Sequence, residues 1–113
     1  MKSYIIHGAY GNPEENWIPW LKEKLNSIVP KFPTPENQTL ENWLKVLDEV
    51  EGIVIGHSLG VTFLLSLLEK NKVKAAFFVA GFCSELGLEK FDRINASFYR
   101  KFDWKTIKKN CPK

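Results

Sequence analysis

Five residues, Gly56-His57-Ser58-Leu59-Gly60, constrain this chain more than any other stretch. Before them, Gly52-Ile53-Val54-Ile55 is a short apolar run with the β-branched content of a buried parallel strand. After them, Val61 to Glu69 is apolar on nearly every side, as expected of a helix buried in a core. A G-x-S-x-G pentapeptide between a strand and a helix predicts a nucleophile elbow. Gly56 and Gly60 are the structural glycines of such a turn, which is too tight for β-carbons at its ends. Ser58 would then stand above the sheet at a helix N-terminus, where free N–H groups favour a developing anion. The competing reading is a tight turn whose serine merely caps the helix.

At 113 residues the chain predicts one domain, spanning 1–113, with a single core. A net charge of +3 with scattered lysines, and no interleaved basic and aromatic motif, predicts no nucleic-acid partner. No run approaches the ~20 apolar residues of a membrane span, and the N-terminus lacks signal-peptide anatomy, so a cytoplasmic location is expected. Cys83 and Cys111 have no metal-ligand spacing and read as free thiols of a reducing compartment. No motif calls for a metal or a cofactor.

Ser3 to His7 predicts a first strand, followed by the glycine-bearing loop Gly8-Ala9-Tyr10-Gly11. Trp17, Leu21, Leu25 and Ile28 share one face of a following helix. Pro19 confines the start of that helix, which makes Asn16 its expected N-cap. Ile28 to Phe32 is a weak strand, limited by Pro30 to an edge position, and Pro33 to Gln38 reads as a surface connection. Thr39 should cap a helix to about Glu49 with Leu40, Trp43, Leu44 and Leu47 inward. Lys74 to Gly81 is a strand without polar alternation, Phe82 to Tyr99 reads as irregular and able to cover a site, and Asp103 should cap a last helix to about Lys109. Strands alternating with helices imply an α/β fold with three layers, αβα, and a mainly parallel sheet of about four strands.

If Ser58 is a nucleophile, its oxyanion needs two N–H donors. Leu59 supplies one, and Ala9 or Tyr10 in the loop opened by Gly8 supplies the other. His7, at a strand end, reads as the residue that orients this loop. His57 should point away from the Ser58 hydroxyl, because neighbouring side chains diverge at a sharp turn. Tyr10 and Trp17 are candidates to line a pocket.

Tyr4-Ile5-Ile6-His7-Gly8 with Gly11, then Asn16-Trp17-Ile18-Pro19-Trp20-Leu21, resembles the opening of the small serine hydrolases typified by retinoblastoma-binding protein nine. Phe32 to Trp43, Ile55 to Gly60, Val79 to Phe82 and Phe102 to Pro112 are similar to the same family, so the resemblance spans nearly the whole chain. It implies an α/β-hydrolase core with Ser58 as nucleophile of a Ser…Asp…His triad, hydrolysing a small ester, amide or related acyl bond. It also implies a strand order of second, first, elbow, last. The stretch from Leu25 to Pro30 is shorter than the family's, which predicts a second strand that is stunted or absent.

The resemblance further implies a C-terminal portion carrying the catalytic Asp and His. No histidine follows Ser58 here, and Glu69, Glu85, Glu89, Asp92 and Asp103 are the acids after the elbow. A truncated hydrolase core, inactive or very weak alone, is therefore expected. The far edge of strand 75–80 would pair with a second copy, with a complementing C-terminal half, or with the chain's own C-terminal segment. The alternative is a non-catalytic binding or assembly module that keeps the hydrolase scaffold.

Overall fold

A computed structural model describes residues 1–82 and 86–113. Three parallel strands, β1 (Ser3–Ile6), β2 (Ile53–His57) and β3 (Ala75–Val79), lie in the order β1-β2-β3. Ser3 pairs with Ile53 and Ile6 with Gly56, while Ile53 pairs with Ala75 and His57 with Val79. The weak strand is reduced to a single parallel bridge, Ile28 to Tyr4, on the outer side of β1. The expected order of second, first, elbow and last thus holds, with the second strand only one rung long.

Alternation within the strands sends side chains to two helical layers. Ile5, Ile53 and Ile55 face α1 (Ile18–Leu25) and meet Ile18, Trp17 and Leu21. Tyr4, Ile6 and Val54 face the opposite layer of α2 (Leu40–Val46), α3 (Leu59–Leu68) and α5 (Trp104–Asn110). There Trp43, Phe32, Phe63 and Phe98 pack ring against ring at centroid separations of 4.6–6.4 Å. All ten residues of α3 are buried.

Thr39 caps α2 as expected, its Oγ1 accepting from Asn42 N at 3.1 Å, and Asp103 caps α5 through Thr106 N at 3.2 Å. The start of α1 differs from expectation. Its cap position is Trp17, without a side-chain cap, and Pro19 occupies the first turn. Asn16 has φ 51°, outside the extended backbone an N-cap needs, and Asn12 instead accepts from Glu14 N at 2.8 Å in a preceding turn. The helix stops at Asn26, whose φ of 52° is left-handed, so Ile28 leaves the helical face and joins the sheet edge.

The segment 82–99 is more ordered than its mixed polarity implied. It contains α4 (Glu89–Asn95) and a 3₁₀ turn, Ala96–Phe98. Asp92 gathers the N–H groups of Leu86, Gly87 and Leu88 at 2.9–3.0 Å, and Phe98 is buried against Trp43. The connection 33–38 is likewise not all surface, because Gln38 is 2% exposed. Cys111 is a half-buried free thiol, and the expectation for Cys83 lies outside the described residues. Among the described residues no helix is long and apolar enough to cross a membrane.

Strand β3 departs from the interior strand its composition implied. Phe77, Phe78 and Val79 are 54%, 50% and 37% exposed. The C-terminal residues run beside only its beginning: Val73 N donates to Asn110 O at 2.9 Å and Ala76 N to Lys113 O at 3.0 Å. On the α1 face, Trp17, Leu21 and Leu25 border an apolar groove of about 570 Å³ floored by Ile53, Ile55, Phe77 and Val79.

Candidate active site

Strand β2 passes into α3 through Ser58 alone, the single residue between His57 and Leu59. Ser58 has φ 57° and ψ −119°, a conformation that costs an L residue about 1–3 kcal/mol. Its surroundings over-determine that geometry. Ser58 N donates to Val79 O at 2.9 Å, and Ser58 O accepts from Val61 N at 3.0 Å. A β-carbon on Gly56 would stand 2.7 Å from Gly60 O, and one on Gly60 would stand 2.8 Å from His7 O and closer still to Ile6 O. The glycine pair therefore lets the turn close on itself and lets the end of β1 lie against the start of α3.

Ser58 occupies the N-cap position of α3, yet its side chain makes no capping bond. That removes the reading of Ser58 as a mere cap. Its half-buried hydroxyl has no hydrogen-bond partner among the described residues, and the Leu59 amide begins the helix, where intrahelical partners are lacking. Gly8 comes close from the neighbouring strand end: a β-carbon there would lie 2.9 Å from Ser58 Cβ and 3.4 Å from Ser58 Oγ. Both elements sit at the carboxyl ends of adjacent parallel strands, where open α/β sheets bind ligands.

The loop after β1 is held by side chains from elsewhere. Gly11 N donates to Gly8 O at 3.1 Å, closing a turn. Thr34 Oγ1 donates to Gly11 O at 2.7 Å, and Gln38 Oε1 accepts from Tyr10 N at 3.1 Å. Of the two amides expected to serve an oxyanion, that of Tyr10 is therefore committed to Gln38. The Ala9 amide has no such bond among the described residues.

His7 is fully buried and uses both ring nitrogens on the main chain. Nε2 accepts from Phe32 N at 3.0 Å, so Nδ1 carries the proton and donates to Gly8 O at 3.0 Å. Burial, partly opposed by the Gly8 bond, lowers its pKa from the ordinary histidine value and keeps the ring neutral. His7 thus anchors the loop. The His57 ring turns to the α1 face, edge-on to Trp17 with centroids 5.4 Å apart, and makes no bond to Ser58.

Trp17 belongs to the apolar groove on that face, whereas Tyr10 is half exposed with its ring 6.2 Å from Phe91. The acids after Ser58 have other work. Glu69 pairs with Arg100 and accepts from Asp103 N, Glu89 pairs with Arg93, Asp92 ties the loop before α4, and Asp103 caps α5. The Leu86 amide and the Thr106 hydroxyl hold the Asp92 and Asp103 carboxyls, respectively, below the usual range. Glu85 lies outside the described residues. Sequence reasoning missed Gln38 and Asn95, which meet side chain to side chain across 57 positions. Nothing in local sequence marks such a pair.

These features define a serine hydrolase scaffold of α/β type, and the chain belongs to the serine hydrolase family, whose model matches residues 3–103. It is 30% identical to the "Putative hydrolase YdeN" of Bacillus subtilis, over 74% of this chain and 52% of that protein. The crystal structure of the ydeN gene product superposes with a TM-score of 0.83 at 25% identity, covering 98% of this chain and 67% of that one. The chain thus spans about half the length of this curated relative.

Proposed function

We propose that this chain carries the nucleophile and oxyanion site of a serine hydrolase acting on small ester or acyl bonds. The observation that carries the reading is Ser58 itself, strained at φ 57° on a one-residue turn, with no hydrogen-bond partner for its hydroxyl among the described residues. In this reaction Ser58 Oγ bonds to the acyl carbon while its proton passes to a base. The leaving group takes that proton as its bond to carbon breaks, and water then releases the acid by the same steps. The Leu59 amide and the Ala9 amide receive the oxyanion, aided by the α3 N-terminus. Gly8, Gly56 and Gly60 provide the close approach, and Tyr10 and Trp17 are the aromatic candidates for substrate walls. No metal or cofactor is required.

Neither histidine of the chain is disposed to act as base, since His7 is bound at both nitrogens and His57 lies against Trp17. The base and its orienting acid come from outside these 113 residues, and the chain alone turns over weakly. Absence of the histidine from a triad costs up to about 10⁶ in turnover. A C-terminal half or a second copy docking on the β3 edge would supply or stabilise the missing part, and the exposed Phe77, Phe78 and Val79 support that surface. A cytoplasmic setting agrees with two cysteines distant in sequence.

The exposed apolar strand, together with a His7 bonded at both nitrogens and a His57 turned to Trp17, favours one second reading, a non-catalytic binding or assembly module. Intact-mass detection of fluorophosphonate labelling, wild type against Ser58→Ala, separates the two. Labelling lost in the variant upholds the hydrolase. Folded wild-type protein that stays unlabelled, with or without an added C-terminal half, leaves the binding module.

A further inference from the structure

Two segments reach the Ser58 turn from opposite sides. From the end of β1, Gly8 comes so close that an added β-carbon would stand 2.9 Å from Ser58 Cβ. From the end of β3, Val79 O accepts from Ser58 N at 2.9 Å, and Phe82 O accepts from Thr62 Oγ1 in the first turn of α3. One side chain joins these two segments. The Phe91 ring lies 6.2 Å from that of Tyr10, in the loop after β1, and 5.6 Å from that of Phe82, after β3. Strands β1 and β3 flank β2, so a ring that meets both loops bridges the carboxyl end of β2, where Ser58 stands. Neighbouring strands stand about 4.8 Å apart, and the gap of about 10 Å between β1 and β3 suits one ring with a partner on each side. Phe82 and Phe91 are only half-buried and Tyr10 is half exposed, which leaves apolar ring surface open to a ligand.

The bridge is tied at both ends of α4. At its start Asp92 accepts from the Leu86, Gly87 and Leu88 amides, and from Tyr99 OH at 3.2 Å. At its end the buried Asn95 accepts from Gln38 Nε2, and Gln38 Oε1 accepts from Tyr10 N at 3.1 Å. Tyr10 and Phe91 are thus joined twice, ring to ring and through Gln38 and Asn95. A ring held in this way limits the size of a ligand rather than yielding to it.

We infer that Phe91 is a specificity-determining residue: as a fixed wall it admits a small apolar group to Ser58 and turns away a bulky one. The inference rests on the hydrolase reading for the identity of that group, the acyl or alcohol part of an ester, but access to position 58 has a readout that needs no catalysis. In the full chain with Cys83→Ser and Cys111→Ser, Ser58→Cys places a single thiol at the site. A methanethiosulfonate converts that thiol to a mixed disulfide and releases methanesulfinate, at a rate followed by intact mass and taken relative to glutathione. The benzyl reagent should react about tenfold more slowly than the methyl reagent, the discrimination expected of an apolar wall. Phe91→Ala should close the gap to within about threefold by speeding the benzyl reagent alone, and Phe91→Trp should widen it. Mere loosening of the loop would raise both rates together in both variants.

Should Phe91→Ala fail to fold, Phe91→Leu carries the same expectation in direction. Equal rates for the two reagents in the parent chain overturn the wall, and so does a parent thiol closed to the methyl reagent. A folded Phe91→Ala that leaves the gap unchanged, or speeds both reagents alike, overturns it too. If wild-type Ser58 takes up no fluorophosphonate, the hydrolase reading fails while the thiol rates still decide the wall.

Discussion

Helix α3 and strand β3 read alike as strings of residues: both are mainly apolar and carry no charged residue to turn to water. In the folded chain they part company. Every residue of α3 is buried between the sheet, α2 and α5, while β3 leaves two phenylalanines at least half exposed. The difference lies in neighbours. Helix α3 is packed by elements before and after it in the chain, whereas β3 has β2 on one side and, among the described residues, only the Lys113 carbonyl at the start of the other. Apolar composition fixes how much burial a segment needs, and the layout decides how much it receives.

The contrast is sharpest at Gly60, where an added methyl meets the Ile6 and His7 carbonyls, backbone that cannot step aside. We expect Gly60→Ala to cost about 4 kcal/mol or to abolish folding, measured by urea denaturation. A cost below about 1 kcal/mol would break the account of the turn.

Truncation of one residue type in each region follows. Phe63→Ala, in the buried ring cluster, should cost about 3–5 kcal/mol. Phe78→Ala should cost less than about 1 kcal/mol in the isolated chain, since half its surface already meets water. If Phe78→Ala costs as much as Phe63→Ala, β3 is covered in solution. Sedimentation of wild type against Phe78→Lys would then show a partner copy lost.

A smaller effect is expected at Thr39, whose hydroxyl satisfies one amide of α2. Thr39→Ala should cost about 1 kcal/mol in thermal or urea melts. The last test is one of pH. His7 has a lowered pKa in the folded chain, so below the ordinary histidine value near 6.5 the unfolded chain binds a proton the folded chain refuses. Stability should be full above that pH and decline as pH falls through it. Urea midpoints measured from pH 7.5 to 5.5 should slope less in a folded His7→Asn variant. Equal slopes would place the titrating group elsewhere.

Much of the site was legible because its chemistry is local. The Gly56–Gly60 spacing announces a turn with no room for side chains, and the runs on either side identify strand and helix. The caps Thr39 and Asp103 were readable for the same reason, as each bonds an amide three residues on. Asn16 misled because polar residues before a proline-bearing helix look interchangeable until their backbone is known. At Asn16 a left-handed φ excludes the cap. Helix α4 was hidden by mixed polarity, and its start is secured by Asp92 reaching back to three amides.

By itself the sequence determined the alternation of strand and helix, the place of Ser58 at the β2–α3 junction, and membership of a family whose motifs are short and contiguous. Only the tertiary structure decided that the Tyr10 amide is already bonded, because that turns on Gln38 meeting Tyr10 across 28 positions and Asn95 across 57. It also decided that His7 is bonded at both ring nitrogens, that the His57 ring lies against Trp17, and that β3 has exposed phenylalanines. Turns and caps are set by neighbours along the chain, whereas the pairing of buried polar groups is set by packing, which brings together residues that no local pattern relates.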